Sequence, residues 1–176
     1  LAPVSQTVLA LSPVSRQAEV VDVSVFDQSE LLSVQRVHVP FKFRGGKDRL
    51  AQTAHYFTAA GDASIVYANG AAEAIEIALK LADLVEEKVE DSEVADLVTF
   101  VRTHVHTRYA LVDTLPKGVA FHYGKMPHLI RAQVEDLLKQ KRIRFVVCTS
   151  TLLQGVNLPA RNIFLLRPRK GRVLGL

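Results

Sequence analysis

Thr149, Ser150 and Thr151 stand directly after the apolar run Ile143 to Cys148, and Gly155, Val156, Asn157, Leu158 and Pro159 follow them. Hydroxyl groups at the exit of a buried strand are neutral hydrogen-bond donors, suited to a phosphodiester backbone that is held and released repeatedly. A hydrolase would use such a serine differently, in a Gly-x-Ser-x-Gly elbow. Ser150 is flanked by threonines and Gly155 comes too late for that elbow.

Other candidate chemistry is sparser. Gly46-Lys47 invites comparison with a phosphate loop, but Phe41 and Asp48 occupy positions where the motif needs Gly and Ser or Thr. No Asp-Glu dipeptide is present to hold magnesium, and no glycine-rich dinucleotide fingerprint follows a predicted strand. His104 and His106 are two residues apart, so on one helix they point to different sides, and no Cys or carboxylate nearby completes a metal set. No metal site is therefore expected. His122, at a predicted strand end beside Tyr123, suits a packed histidine as well as a ligand contact. The single cysteine, Cys148, reads as a small hydrophobe at the end of a buried strand; it excludes an internal disulfide and fits a reducing compartment.

The elements that must position these groups follow from texture. Ala18 to Phe26 and Val34 to Phe41 are valine-rich with partial alternation, as half-buried strands are, and RGGKD at 44 to 48 breaks the pattern. This predicts a β-rich N-terminal arm or linker over 1–45. Beyond it, strands alternate with helices. Ser64 to Ala68, Gly118 to His122, Ile143 to Cys148 and Ile163 to Leu166 are the predicted strands. Leu50, Ala54 and Phe57 mark one helical face; Ala71 to Leu84 is a helix with Ile75, Ala78, Leu79 and Ala82 on one side. Ser92 is expected to cap a helix with the stripe Val94, Leu97, Val98, Val101 and Val105, and Pro127 to open one with Ile130, Val134, Leu137 and Leu138 inward. Such alternation predicts an α/β fold, a parallel sheet with helices on both faces. Ligands of such sheets bind beyond the carboxyl ends of the strands. The loops at Asn69-Gly70, at Tyr123-Gly124-Lys125-Met126 and at Thr149 to Pro159 are then expected on one edge.

Bulk properties limit the classes. The 176 residues, 48% of them hydrophobic, suffice for one ordinary domain with an arm. Lys and Arg number 22 against 18 Asp and Glu, a net charge of +4 that agrees with a polyanionic partner without demanding one. Arg161, Arg167, Arg169, Lys170 and Arg172 crowd the end of the chain. No apolar run reaches the roughly 18 residues of a membrane span, and the N-terminal stretch lacks a basic n-region, so a cytoplasmic protein with no membrane association is expected.

SIVYANGAAEA and GVAFHYGKMPHLIRAQVEDLLKQKRIRFVVCTSTLLQGVNLPARNIF together resemble the second RecA-like domain of superfamily-two helicases, closest to Ski-like DExH enzymes and related to DEAD/DEAH-box proteins. The resemblance spans roughly Lys47 to Leu166. It implies that Tyr67, Asn69 and Gly70 lie in motif IV at a nucleic-acid edge. It implies that His122, Tyr123, Gly124, Lys125 and Arg131 belong to the adjacent motif that steadies the strand, with Lys125 adding a backbone contact. Thr149, Ser150 and Thr151 of motif V would touch the backbone, and Gly155, Val156 and Asn157 would turn toward the nucleotide.

The implied organisation is a linker over 1–45, leaving a first RecA-like domain, and a second RecA-like domain over 46–176 that stops before the arginine motif VI. The implied function is a fragment of an ATP-dependent helicase or translocase. It would bind single-stranded DNA or RNA and close on ATP and Mg²⁺ held by an upstream RecA-like domain, with no catalytic residue of its own and no activity alone. The alternative expectation is a non-catalytic nucleic-acid or protein-interaction module with the same fold.

Overall fold

The computed structural model describes residues 7–14, 19–27, 30–42, 45–153, 160–167, 169–170 and 172–173. The chain divides into two compact units, Leu1–Arg49 and Leu50–Leu176.

The first unit is an antiparallel sheet in the order β1-β2-β3, with β1 at Thr7–Pro13, β2 at Val20–Asp27 and β3 at Glu30–His38. The predicted arm strands are there, with ends shifted by up to four residues. β1 was not expected, because its short apolar stretch becomes a strand only through pairing along the edge of β2, from Thr7 opposite Asp27 to Pro13 opposite Val21. Val21 and Val23 are buried on one face of β2, while Arg36 and Asp22 pair across β3 and β2 at 2.8 Å on the other.

The second unit is built on a parallel sheet, ordered β5-β6-β4-β7 among the described residues. β4 is Ser64–Tyr67, β5 Val119–His122, β6 Phe145–Cys148 and β7 Asn162–Phe164. Every residue of β4, β5 and β6 is buried, so both faces are covered, as apolar strands without alternation require. The chain steps one way from β4 to β5 and back from β5 to β6. Right-handed crossovers then carry the intervening helices over opposite faces. The last strand starts one residue before and ends two residues before the expected Ile163 to Leu166, and Arg169–Lys170 and Arg172–Val173 pair as a short antiparallel ribbon, β8 and β9.

The helices are α1 (Gly46–Phe57), α2 (Ala71–Leu84), α3 (Ser92–His104), α4 (Leu111–Thr114), α5 (His128–Lys139) and α6 (Ser150–Leu153), with a 3-10 turn at Leu115–Lys117. The inward stripe of α5 is the expected one. That of α2 is rotated: Ala74, Ile77, Ala78, Leu81 and Ala82 are buried while Leu79 is 38% exposed. Glu73, Glu76, Lys80 and Asp83 form the outer stripe of this helix, and the buried residues lie away from it. Asp91, not Ser92, caps α3, accepting from the amides of Glu93 and Val94 at 3.0 and 3.1 Å. The same carboxyl is held by Arg142, which also meets Glu93 at 3.1 Å, and this hydrogen bond from the guanidinium holds Asp91 below the usual carboxylate range. Val105 ends α3 and is 38% exposed rather than inward, and His106 lies beyond the helix.

Candidate nucleic-acid interface

Register aligns the carboxyl ends of three strands. Tyr67 pairs with Cys148 and Cys148 with His122, so the last residues of β4, β6 and β5 form one row across the sheet. Two backbone bonds continue the row into the loops: Ala68 N donates to Cys148 O at 2.8 Å, and Thr149 N donates to His122 O at 3.1 Å. The loops at 68–70 and 123–126, and the start of the third at 149–153, therefore leave one rim, as expected.

At the first loop, Asn69 is exposed and its amide donates to Glu73 Oε2 at 2.6 Å. Glu73 sits in the first turn of α2, and its carboxylate reaches back to the amide that precedes the N-cap Gly70. Gly70 is extended, and a Cβ there would meet nothing within 4 Å, so neither backbone nor packing demands glycine. Tyr67 is only 3% exposed, and burial raises its phenol pKa, with Cys148 and Glu73 adding to the shift.

The second loop is a turn closed by Met126 N donating to Tyr123 O at 3.1 Å, with Met126 buried and Gly124 and Lys125 exposed. Pro127 precedes the first turn of α5 rather than standing within it. Tyr123 is half-buried, stacked on Phe121 with centroids 6.0 Å apart, and its hydroxyl lies 3.2 Å from that of Tyr109. His122 is 2% exposed, with Nε2 2.8 Å from Glu135 Oε1 on α5 and a buried Nδ1 that has no partner among the described residues. Burial holds the imidazole pKa below its ordinary value, against the pull of the Glu135 carboxylate. Arg131, one turn before Glu135, is half-buried. Tyr67 and His122, expected at a nucleic-acid edge, thus have side chains that pack beneath the rim rather than on it.

At the third loop, Thr149 and Ser150 are half-exposed, and Leu152 N donates to Thr149 O at 3.2 Å. A helical turn, α6, replaces the open loop expected from Ser150 to Leu153, with Leu152 buried to anchor it. Cys148 is fully buried, and desolvation pushes its thiol pKa up to about 12. Gly155, Val156 and Asn157 lie outside the described residues. Tyr109, missed from sequence, joins the rim through its contact with Tyr123.

No family model matches the chain. It is 33% identical over 110 residues to the ATP-dependent DNA helicase Hel308 of Methanocella arvoryzae, a match covering 60% of this chain and 15% of that protein. It is 43% identical over 67 residues to the U5 small nuclear ribonucleoprotein 200 kDa helicase of Homo sapiens, covering 35% of this chain and 3% of that protein. Among solved structures it is similar to the Mycobacterium smegmatis helicase Lhr bound to ssDNA and AMP-PNP, at 24% identity and a TM-score of 0.40, covering 65% of this chain and 11% of that one. The chain thus spans a small part of each of these proteins, and all three are helicases by name.

Proposed function

We propose that the chain is part of a superfamily-two ATP-dependent helicase or translocase. In this reading residues 46–176 are its second RecA-like domain, of the Ski-like kind, and residues 1–45 lead out of the domain before it. The observation that carries the reading is the shared row of Tyr67, Cys148 and His122, which gathers the loops at 69–70, 123–126 and 149–151 on one rim. Similarity to two named helicases supports it.

Lys125 supplies a point charge, and Thr149 and Ser150 neutral donors, to the phosphates of a single strand of DNA or RNA. Gly70 leaves open space beside it for the backbone. Tyr123 offers the edge of an aromatic platform. Tyr67, His122 and Arg131 act from beneath, as packing that fixes the loop angles. Neutral donors in the majority suit a grip that must let go at every step.

The described residues do not fit a phosphate grip for ATP. The Gly46-Lys47 pair opens α1, but Asp48 stands in its first turn, where a phosphate would need a free helix end. ATP and Mg²⁺ therefore belong with an upstream RecA-like domain, across a cleft between the two domains. Bound nucleotide would supply phosphoryl-transfer free energy to open and close that cleft. Cytoplasmic nucleic acid is the proposed setting.

Titration of the 176-residue chain with a labelled single-stranded oligonucleotide tests the reading. Binding should weaken linearly in log salt, and Lys125→Ala and Thr149→Ala should each reduce it. Salt-insensitive binding, or rim variants that bind like the parent, would refute it.

A further inference from the structure

We propose that the exposed strip from Arg102 to Arg108 is a second phosphate-contact surface, which extends the rim past Lys125 and takes the sugar-phosphate backbone of the same single strand. The proposal rests on reading the rim as a nucleic-acid interface.

Every residue from Arg102 to Arg108 is exposed, and between Asp96 and Asp113 the sequence contains no carboxylate side chain. Arg102, Arg108 and Lys125 form no ion pair with any described residue. Three cations elsewhere in this unit are answered: Arg142 by Asp91 and Glu93, Lys139 by Asp136 at 3.2 Å, and Arg161 by Asp62 at 3.6 Å. The strip therefore carries cationic charge that no ion pair among the described residues offsets.

The strip is tied to the rim. Tyr109, next in sequence to Arg108, shares a hydroxyl contact of 3.2 Å with Tyr123, and its ring lies 5.7 Å from Phe121, on which Tyr123 stacks. Lys125 is two residues beyond Tyr123, so the tyrosine pair links the segment carrying Arg108 to the loop carrying Lys125 through side chains. The turn before it is ordered by Arg108 N donating to His106 Nδ1 at 2.9 Å and Tyr109 N donating to His106 O at 3.1 Å. The negative end of the α3 dipole accounts for Arg102 and His104 in its last turn. It does not account for Arg108 beyond the helix, nor for the tyrosine bridge that sets this charge beside the rim.

The experiment compares Arg102→Ala/Arg108→Ala, Arg102→Lys/Arg108→Lys and Lys125→Ala in the 176-residue chain. The probe is a fluorescein-labelled single-stranded oligothymidylate, titrated across a salt series, with thermal midpoints as the folding control. The double alanine variant should bind about tenfold more weakly at low salt, with the log-log salt slope shallower by roughly 0.7 for each phosphate that is no longer neutralised. The double lysine variant should keep most of the binding, and all midpoints should match the parent.

Parental binding by the double alanine variant, while Lys125→Ala is weakened, overturns the strip and leaves the rim standing. Weakening by the double variant alone, with rim variants unchanged, keeps the strip and overturns the rim. A chain that binds no single strand at low salt overturns both, and competition by polyglutamate as strong as by the oligonucleotide assigns the strip to an acidic protein instead.

Discussion

His122 Nε2 lies 2.8 Å from Glu135 Oε1, and this contact ties the end of β5 to the middle of α5 directly beneath the loop that carries Lys125. The imidazole is almost wholly buried, so its polar atoms depend on this partner. Removing the carboxylate leaves a buried ring with no hydrogen bond to either nitrogen among the described residues. Glu135→Ala should therefore destabilise the chain by about 1 to 3 kcal/mol. Urea denaturation checks this; a midpoint equal to that of the parent would show that the contact holds nothing in place.

The same histidine makes stability depend on pH. Its folded pKa is depressed by burial, so below the unfolded value the unfolded chain binds a proton that the folded chain refuses. Stability is then full above roughly pH 6.5 and falls as pH drops from there toward the folded pKa. His55 adds to the fall, because burial and the nearby Arg144 lower its pKa too. Denaturation midpoints measured from pH 7.5 down to 5.5 should decline, and less steeply in His122→Gln and in His55→Gln. Equal slopes in all three proteins would contradict the assignment.

Cys148 carries a thiol pushed up to about 12, in a strand buried on both sides. The thiolate is the reactive form, so the native chain should resist alkylation. Mass spectrometry after iodoacetamide treatment at pH 8 should show labelling only as fast as the protein opens, and complete labelling in denaturant. Rapid modification of the folded chain would mean that the end of β6 is open.

The sheet and its rim were legible because apolar runs ending in Asn-Gly, His-Tyr-Gly and Cys-Thr-Ser signal parallel strands whatever their partners. Helix α2 likewise has the expected bounds, but its buried face differs from the expected one: the stripe Glu73, Glu76, Lys80 and Asp83 marks the outer side, and Ala74, Ile77, Ala78 and Leu81 rather than Leu79 lie on the covered side. Asp91 and Ser92 are both good caps in sequence. The choice falls to Asp91, whose carboxyl also meets Arg142 from the far end of α5, a tie no local pattern reveals. β1 is a strand through its pairing with β2, and α4 is too short to show a period. The burial of Tyr67 and His122 was equally hidden, because an aromatic or histidine at a strand end can turn inward or out, and Glu135 decides for His122 from thirteen residues away.

The central claim is that a single strand is held at the carboxyl rim of the parallel sheet. Amide chemical shifts of the isotope-labelled chain, recorded while a single-stranded oligonucleotide is added, test it most directly. The account predicts shifts that cluster at Asn69 and Gly70, Tyr123 to Met126, and Thr149 to Thr151. Shifts confined to the opposite edge, around Gly61 and Lys141 to Arg144, would contradict it.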